Sequence, residues 1–326
     1  MNPDRIAPWL RRFVERRLLA PRGMSGSPYR IVEPERGVIT FVRLIEVQDA
    51  EGFAVRAYPF WRRRQIRRRQ VSARIVEQAG LAAPRLADCW RPPVPWAPLF
   101  TAEELLAGRH IAPGEWLASE AERFGRALAG WHNIERAAHG PVESNAWRSF
   151  AQTLLARARH RLRAVRRRGS PDAGAGELAE AWRWFRAWAP RFARWDAFEL
   201  THDKLNPGNL LRLDATGEIA FLDLDTLGFA SGAKDLAQAI HDALYDDPAA
   251  ADAFWQGYLA ARPAERVRRA EAFYPFFHAY YHASEAAAAL KRKKNLRTPE
   301  ALDASHAKFL KHWRQALEVM GKPTGQ

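Results

Sequence analysis

Residues 201–211 read THDKLNPGNLL, and residues 221–228 read FLDLDTLG. Between them LDATGE supplies a turn, so the region reads as strand, polar loop and β-hairpin. No other stretch constrains the fold so tightly. Asn209 ends the loop before one strand and Asp223 comes after the next, so a hairpin can set the two side by side. Asp225 has the same parity as Asp223 and can join the pair or support it from behind. Taken singly, each residue has an ordinary explanation, since Asn-Pro-Gly-Asn is a common turn and an Asp after an apolar strand is unremarkable. The combination is far more specific.

The rest of the chain supplies two kinds of context. Residues 29–59 contain short runs rich in Val, Ile and aromatics (YRIV, GVITFVRLIEV, FAVRAYP), which predict a small antiparallel meander. From about residue 115 onward the pattern is mostly helical, with the hairpin of 200–230 set inside it. A β-rich segment ahead of a helix-rich one predicts an α+β chain of two lobes with a cleft between them. The expected boundaries are an N-terminal basic amphipathic extension (1–22), an N-lobe (23–107) with its hinge at about 100–107, and a helical C-lobe (108–326). In the extension, Ile6, Trp9, Leu10, Phe13 and Leu19 recur at helical spacing with Arg11, Arg12, Arg16 and Arg17 between them. Such a helix can lie on a membrane surface or pack on the protein body.

Of the 326 residues, 47% are hydrophobic, enough for a sizeable core. No apolar run reaches the ~18 residues of a membrane span. The first residues lack the apolar core of a secretory signal. The lone Cys89 excludes an internal disulfide and a thiolate metal site. A cytoplasmic location is the expectation, with peripheral contact at the inner membrane surface if residues 1–20 face lipid. The formal charge of +14 suits anionic partners, although a composition rich in Arg, Ala and Trp also produces it without function.

Phosphoryl transfer from ATP needs Mg²⁺ on hard oxygen ligands, a carboxylate to take the acceptor's proton, and a cation on the phosphates. Asn209 and Asp223 fit the metal role, with Asp225 as a third candidate. The residue five before Asn209, where such a site places its base, is Lys204. Asp203 lies one position earlier. In an extended segment that shift turns the side chain to the other face, whereas in an irregular loop φ and ψ can re-aim it. His202, Asp203 and Lys204 are therefore the candidate catalytic residues, with Asp203 as base and Lys204 on the transferring phosphate.

These residues resemble the aminoglycoside phosphotransferase / choline kinase superfamily, whose fold is protein-kinase-like. The family pattern is roughly His-Gly-Asp-Leu-His-Pro-Gly-Asn, then Ile-Asp-Phe-(Asp), then Asp-Leu-Ala. The counterparts here are residues 202–209, Leu222-Asp223-Leu224-Asp225 and Asp235-Leu236-Ala237. FTAEELLAGRHI looks like the interlobe hinge, RFGRALAGWHNI like a family helix, and FAVRAYP like the strand bearing the phosphate-contacting cation. The resemblance covers about residues 29–320 and implies a two-lobed kinase-like fold using ATP and Mg²⁺. It places Arg56 at the strand cation, Glu77 as its acidic partner, Gly37 in the phosphate loop, the backbone around Glu103, Glu104 and Leu105 on the adenine, and Asp235 as a brace for the catalytic loop.

Three readings are open. The first is a small-molecule kinase transferring the γ-phosphoryl group of ATP to a hydroxyl of a sugar, lipid-linked or other small alcohol. The second is a catalytically weak or inactive nucleotide-binding protein, since Lys204 stands at the usual acid's position. The third is a basic membrane- or RNA-surface binder, for which the cluster at 62–69 is the main argument and its few aromatics the counter-argument. The acceptor pocket is expected from Tyr274, His278, Tyr281, His282 and Glu285, with Asp242, Asp246 and Asp247. The positive charge favours an anionic acceptor.

Overall fold

The computed structural model describes residues 3–34, 41–112, 114–168, 173–293 and 296–321. Helix α1 (Pro3–Phe13) continues through a π-helical turn (Val14–Leu19) into a 3₁₀ turn (Ala20–Arg22). Five strands come next: β1 (Tyr29–Val32), β2 (Phe41–Val47), β3 (Phe53–Tyr58), β4 (Leu86–Trp90) and β5 (Leu99–Glu104). Helix α2 (Arg63–Gln78) lies between β3 and β4. The sheet order is β1-β2-β3-β5-β4, every neighbour antiparallel. Strand β3 alternates as a two-sided strand must. Phe53, Val55 and Ala57 enter the core, and Arg56 faces the opposite side.

The N-terminal segment completes this lobe. Ile6, Leu10, Phe13, Val14, Leu18 and Leu19 are buried against Ile45, Val47, Phe53, Val55 and Phe100. Phe13 stacks on Phe100 and Trp90, with ring centroids 5.2 and 5.9 Å apart. Arg11, Arg12, Arg16 and Arg17 stay on the solvent side, and Arg17 pairs with Asp88 at 2.9 Å. Of the two readings of residues 1–20, packing on the protein body is the one found, and the apolar face that a membrane contact would need is buried. The sheet has a bare apolar side opposite the Arg56 face, and this segment covers it.

The helical lobe contains β6 (Gly108–Arg109), α3 (Ala118–His132), β7 (Glu135–Arg136), β8 (Gly140–Pro141), α4 (Phe150–Arg167), α5 (Ala175–Ala187) and α6 (Ala189–Phe192). It continues with β9 (Phe198–Thr201), β10 (Leu210–Leu213), β11 (Ile219–Phe221), β12 (Gly228–Ala230), α7 (Ala233–Gln238), α8 (Pro248–Ala260), α9 (Ala264–Lys293) and α10 (Pro299–Val319). Two small sheets, β11-β10-β6 and β7-β9-β12-β8, hold the polar loops. Helices α3 and α8 cross closely at Gly125 and Gly257, where a Cβ on either would collide with the other helix's backbone. Among the described residues no helix is long and apolar enough to cross a membrane.

Helix α2 joins the lobes. Arg68 grips Glu143 with two hydrogen bonds of 2.8 Å and donates to Asp225 O at 3.3 Å. Ser72 Oγ donates to Leu224 O at 3.2 Å. The sheet's Arg56 face is thereby aimed at the hairpin.

If the N-terminal segment is core, truncating its central ring should cost what a buried aromatic costs. Phe13→Ala is expected to destabilise the protein by about 3–5 kcal/mol in urea unfolding. A loss below about 1 kcal/mol would show that the segment is merely draped over the sheet.

Candidate active site

Strand β9 delivers the chain to His202, which is fully buried. Its Nε2–H donates to Leu222 O at 2.7 Å, and Trp131 and Phe221 pack around the ring. Burial lowers its pKa, with nearby acids opposing, so the imidazole is neutral. The expectation of a catalytic role for His202 is corrected: it lies under the loop and pins the loop to the hairpin.

The next two residues part company. Asp203 adopts φ +68°, the left-handed region that Asp tolerates better than most side chains. The resembling family pattern carries Gly at this position, a residue that enters this region without strain. The Asp203 carboxylate meets the Lys234 ammonium on the wall of a cavity of about 640 Å³. Lys204 turns away from that cavity, and its Nζ lies 3.1 Å from Asp223 Oδ2. Asn209 Nδ2–H donates to Lys204 O at 2.9 Å, which fixes the loop's other end.

Asp223, also left-handed at φ +58°, receives Arg56 on its other oxygen. Burial alone would raise its pKa, but Arg56 and Lys204 overcome this and hold the carboxyl at about 2. Asp225 accepts the Tyr58 hydroxyl at 2.7 Å and lies 3.7 Å from Arg56. Its Oδ1 is buried without a partner. Hairpin pairing of Leu210 with Phe221, and Leu222 N–H donating to Asn209 O at 2.8 Å, keep Asn209 beside this acidic pair. The oxygen-only donors Asn209, Asp223 and Asp225 suit a hard divalent cation, and the orphaned Asp225 oxygen has room for one more bond. Lys204 and Arg56 compete for Asp223.

The partner of Arg56 is not Glu77, which lies exposed near the end of α2. The acid beside it is Glu103 on β5, 3.9 Å away. Glu103 also pairs with the fully buried Arg69 of α2. Relative to the expected pairing, strand acid and helix cation have exchanged places. Glu77 fails because it sits two turns beyond Arg69, on the face turned to solvent. The hinge amides expected to meet adenine are partly committed: Glu104 N–H donates to Arg85 O at 3.0 Å and Leu105 N–H to Gly52 O at 2.9 Å. Gly37 lies outside the described residues.

Asp235 is buried and accepts the amides of His202 (2.5 Å) and Asp203 (3.0 Å). Behind it stands a polar chain that the sequence did not reveal. Arg262 pairs with the buried Glu199 and donates to Tyr258 Oη. The Asp235 carboxylate faces His132 Nε2, which favours the proton on that nitrogen and leaves Nδ1 to accept the Tyr258 hydroxyl, 2.9 Å away. At 3.6 Å the His132 Nε2–Asp235 contact is electrostatic rather than a hydrogen bond. Glu199 also accepts Gly232 N–H. No spacing signal unites residues 132, 199, 235, 258 and 262.

The cavity beyond Asp203 is bordered by Arg157, Arg161, Lys234, Asp242, Tyr281 and Glu285. Burial, and then Arg157, push Lys234 down to about 7, with Asp235 opposing. Burial and Glu285 push Asp242 up to about 6. Of the residues expected to build the acceptor pocket, Asp242, Tyr281 and Glu285 are there. Tyr274, His278 and His282 sit elsewhere, Asp246 bonds His241 at 2.6 Å, and Asp247 caps α8 through the amides of Ala249 and Ala250. Arg157, Arg161 and Lys234 were missed; the i, i+4 pair on a basic helix and the Lys adjoining Asp235 were the available signals. Within the cluster of 62–69, Arg68 and Arg69 are used internally, while Arg63 and Arg67, with Arg74 and Arg91, line a separate groove of about 500 Å³.

Five imidazoles give a pH prediction. His139, His202, His278, His282 and His312 all have pKa values lowered by burial. Below about pH 6.5 the unfolded chain therefore binds protons that the folded chain refuses. The contribution of the histidines is fully present above about pH 7 and falls as pH drops through about 6.5 towards 5; Asp242, raised to about 6, offsets only a single proton of this. The Asp223 contribution is present above about pH 4 and is lost only as pH falls towards its folded value of about 2. A urea midpoint constant between pH 7 and 5 would contradict the neutral histidines.

Several known structures share this two-lobed arrangement. An amicoumacin kinase in complex with AMP-PNP, Ca²⁺ and Ami superposes with TM-score 0.67 at 12% identity, covering 98% of this chain and 96% of that one. The Plasmodium vivax ethanolamine kinase gives 0.62 at 12%, covering 97% and 91%. An aminoglycoside phosphotransferase from Alicyclobacillus acidocaldarius gives 0.54 at 16%, covering 91% and 96%. At these identities the likeness establishes the two-lobed, protein-kinase-like fold. No curated protein sequence matches the chain significantly. Residues 43–274 match the sequence profile of the phosphotransferase enzyme family. With more than two thirds of its length under that profile, the chain belongs to the phosphotransferase enzyme family.

Proposed function

We propose that this phosphotransferase moves the γ-phosphoryl group of ATP to a hydroxyl of a small acceptor carrying an anionic group, with Mg²⁺ bound by Asn209, Asp223 and Asp225. One observation carries the reading: Asp203 and Lys204 leave the loop on opposite sides. The carboxylate lies on the cavity and the ammonium on the side of Asp223. A base belongs beside the acceptor and a cation beside the phosphates, so the two functions have separated onto adjacent residues.

The acceptor enters the cavity, where Arg157 and Arg161 hold its anionic group. Its hydroxyl oxygen attacks the γ-phosphorus, the bond to the β-phosphate oxygen breaks, and ADP leaves. The hydroxyl proton passes to Asp203, whose carboxylate Lys234 orients. A largely dissociative transition state asks little of the base, so a carboxylate displaced by one residue serves. When bound, Mg²⁺ neutralises charge on the phosphate oxygens. Arg56 and Lys204 take the same charge from the protein side as they release Asp223. Glu103 retains Arg56 on the sheet, and Asp235 fixes the turn from which both loop side chains project.

A second reading rests on the same clamp. With Arg56 and Lys204 both on Asp223, the protein could hold nucleotide without turning it over. ATP consumption over a panel of phosphorylated and carboxylated alcohols separates the two. The transferase reading expects turnover with at least one acceptor, a roughly 10²–10⁴-fold fall in kcat for Asp203→Asn, and a smaller loss for Lys204→Ala. If no acceptor supports turnover by the wild type, yet Lys204→Asp gains it, Lys204 is a block and the idle reading stands.

A further inference from the structure

The helical lobe holds a histidine cluster that phosphoryl transfer does not use. His278 and His282 lie one turn apart on α9. His241 projects from the π-helical turn Ala239–Ala243 after α7, and such turns place side chains that a regular helix cannot. The three residues offer nitrogens that all lie within 4.8 Å of one another.

The surroundings assign the nitrogens. His241 Nδ1 is 2.6 Å from Asp246 Oδ1. A carboxylate accepts, so Nδ1 carries the proton and Nε2 keeps its lone pair. Among the described residues, the hydrogen-bond contact of Nε2 is the Tyr274 hydroxyl, at 3.3 Å. His282 Nδ1 lies 3.0 Å from His312 Nδ1. Its Nε2 is buried without a hydrogen-bond partner, in a residue 1% exposed. A buried ring nitrogen left unpaired needs an explanation, and an electrophile between the rings provides one.

We propose that His241, His278 and His282 form a binding site for a divalent transition-metal ion, best matched by Zn²⁺, with Asp246 and His312 orienting two of the ligands from behind. Three neutral imidazoles suit Zn²⁺ and exclude Mg²⁺ or Ca²⁺, which require oxygen. Metal–nitrogen bonds of about 2.0–2.1 Å in a tetrahedron set the nitrogens about 3.3 Å apart. The stacked rings of His241 and His278, 4.3 Å between centroids, must therefore turn towards a common point. Three ligands leave one position open. His241 adjoins Asp242, and His282 adjoins Tyr281, and both neighbours border the acceptor cavity. The ion would tie α9 to the segment after α7 and so hold that wall of the cavity.

The test is independent of phosphotransfer. The full chain is stripped with a chelator and titrated with Zn²⁺ by calorimetry, and separately with Co²⁺ by visible absorption. The expected result is one tightly bound ion per chain and the intense d–d bands of a four-coordinate Co²⁺ site. His241→Ala and His278→Ala should weaken Zn²⁺ binding at least about 100-fold, while His306→Ala, two turns from His312 on α10, should leave it unchanged. Equal binding by the wild type and folded cluster variants overturns the proposal. So does a weak, water-like six-coordinate Co²⁺ spectrum from the wild type, which decides the matter even if a variant fails to fold.

Discussion

The two amides held by Asp235 govern the geometry of the catalytic loop. One buried carboxylate takes the N–H groups of His202 and Asp203, and this sets the turn in which Asp203 occupies the left-handed region. From that turn one side chain reaches the cavity and the next reaches Asp223. Asp235 is itself backed by His132, Tyr258, Arg262 and Glu199, drawn from α3, α8, the turn after α8, and β9. Burying so many polar groups is tolerable because most of them satisfy one another, although His132 Nε2 and Arg262 Nε make no hydrogen bond. The loop therefore depends on residues far from the chemistry.

On the other side, Asp223 receives cations from two elements, the sheet's Arg56 and the loop's Lys204. An anionic nucleotide offers both cations an alternative partner. In the proposed reaction, exchange of an internal ion pair for one with the ligand would leave Asp223 free for a metal, and nucleotide and metal would favour one another's binding. Glu103 and Arg69 extend the alternation of charge into the sheet, where neither could remain buried alone.

The parts legible in the sequence are those where chemistry and strand periodicity coincide. Asn209, Asp223 and Asp225 fall together because a hairpin of known register brings its ends together. The meander and the helical remainder arise from their hydrophobic periods. The pairing of Arg56 was misread because its acid comes from β5 rather than α2; strand neighbours in a sheet of order β1-β2-β3-β5-β4 cannot be deduced from spacing. His202 was misplaced for a different reason. A polar residue beside a catalytic loop looks exposed in a linear reading, whereas the chain here turns it beneath the hairpin. The amphipathic N-terminus declared its apolar face but not what would cover it.

The way the two cores are assembled has a consequence for the order in which the protein forms during synthesis. Among the described residues, the buried cluster of the N-lobe sheet runs from Ile6 to Ala102. The larger core reaches from Val76 to Met320, and Trp313 on α10 donates to Glu177 at 2.9 Å. The first lobe can therefore close while the second is still emerging from the ribosome, whereas the second must wait for its last helix. In that interval Arg56 would stand on its sheet without the hairpin acids Asp223 and Asp225 that it pairs with in the finished protein.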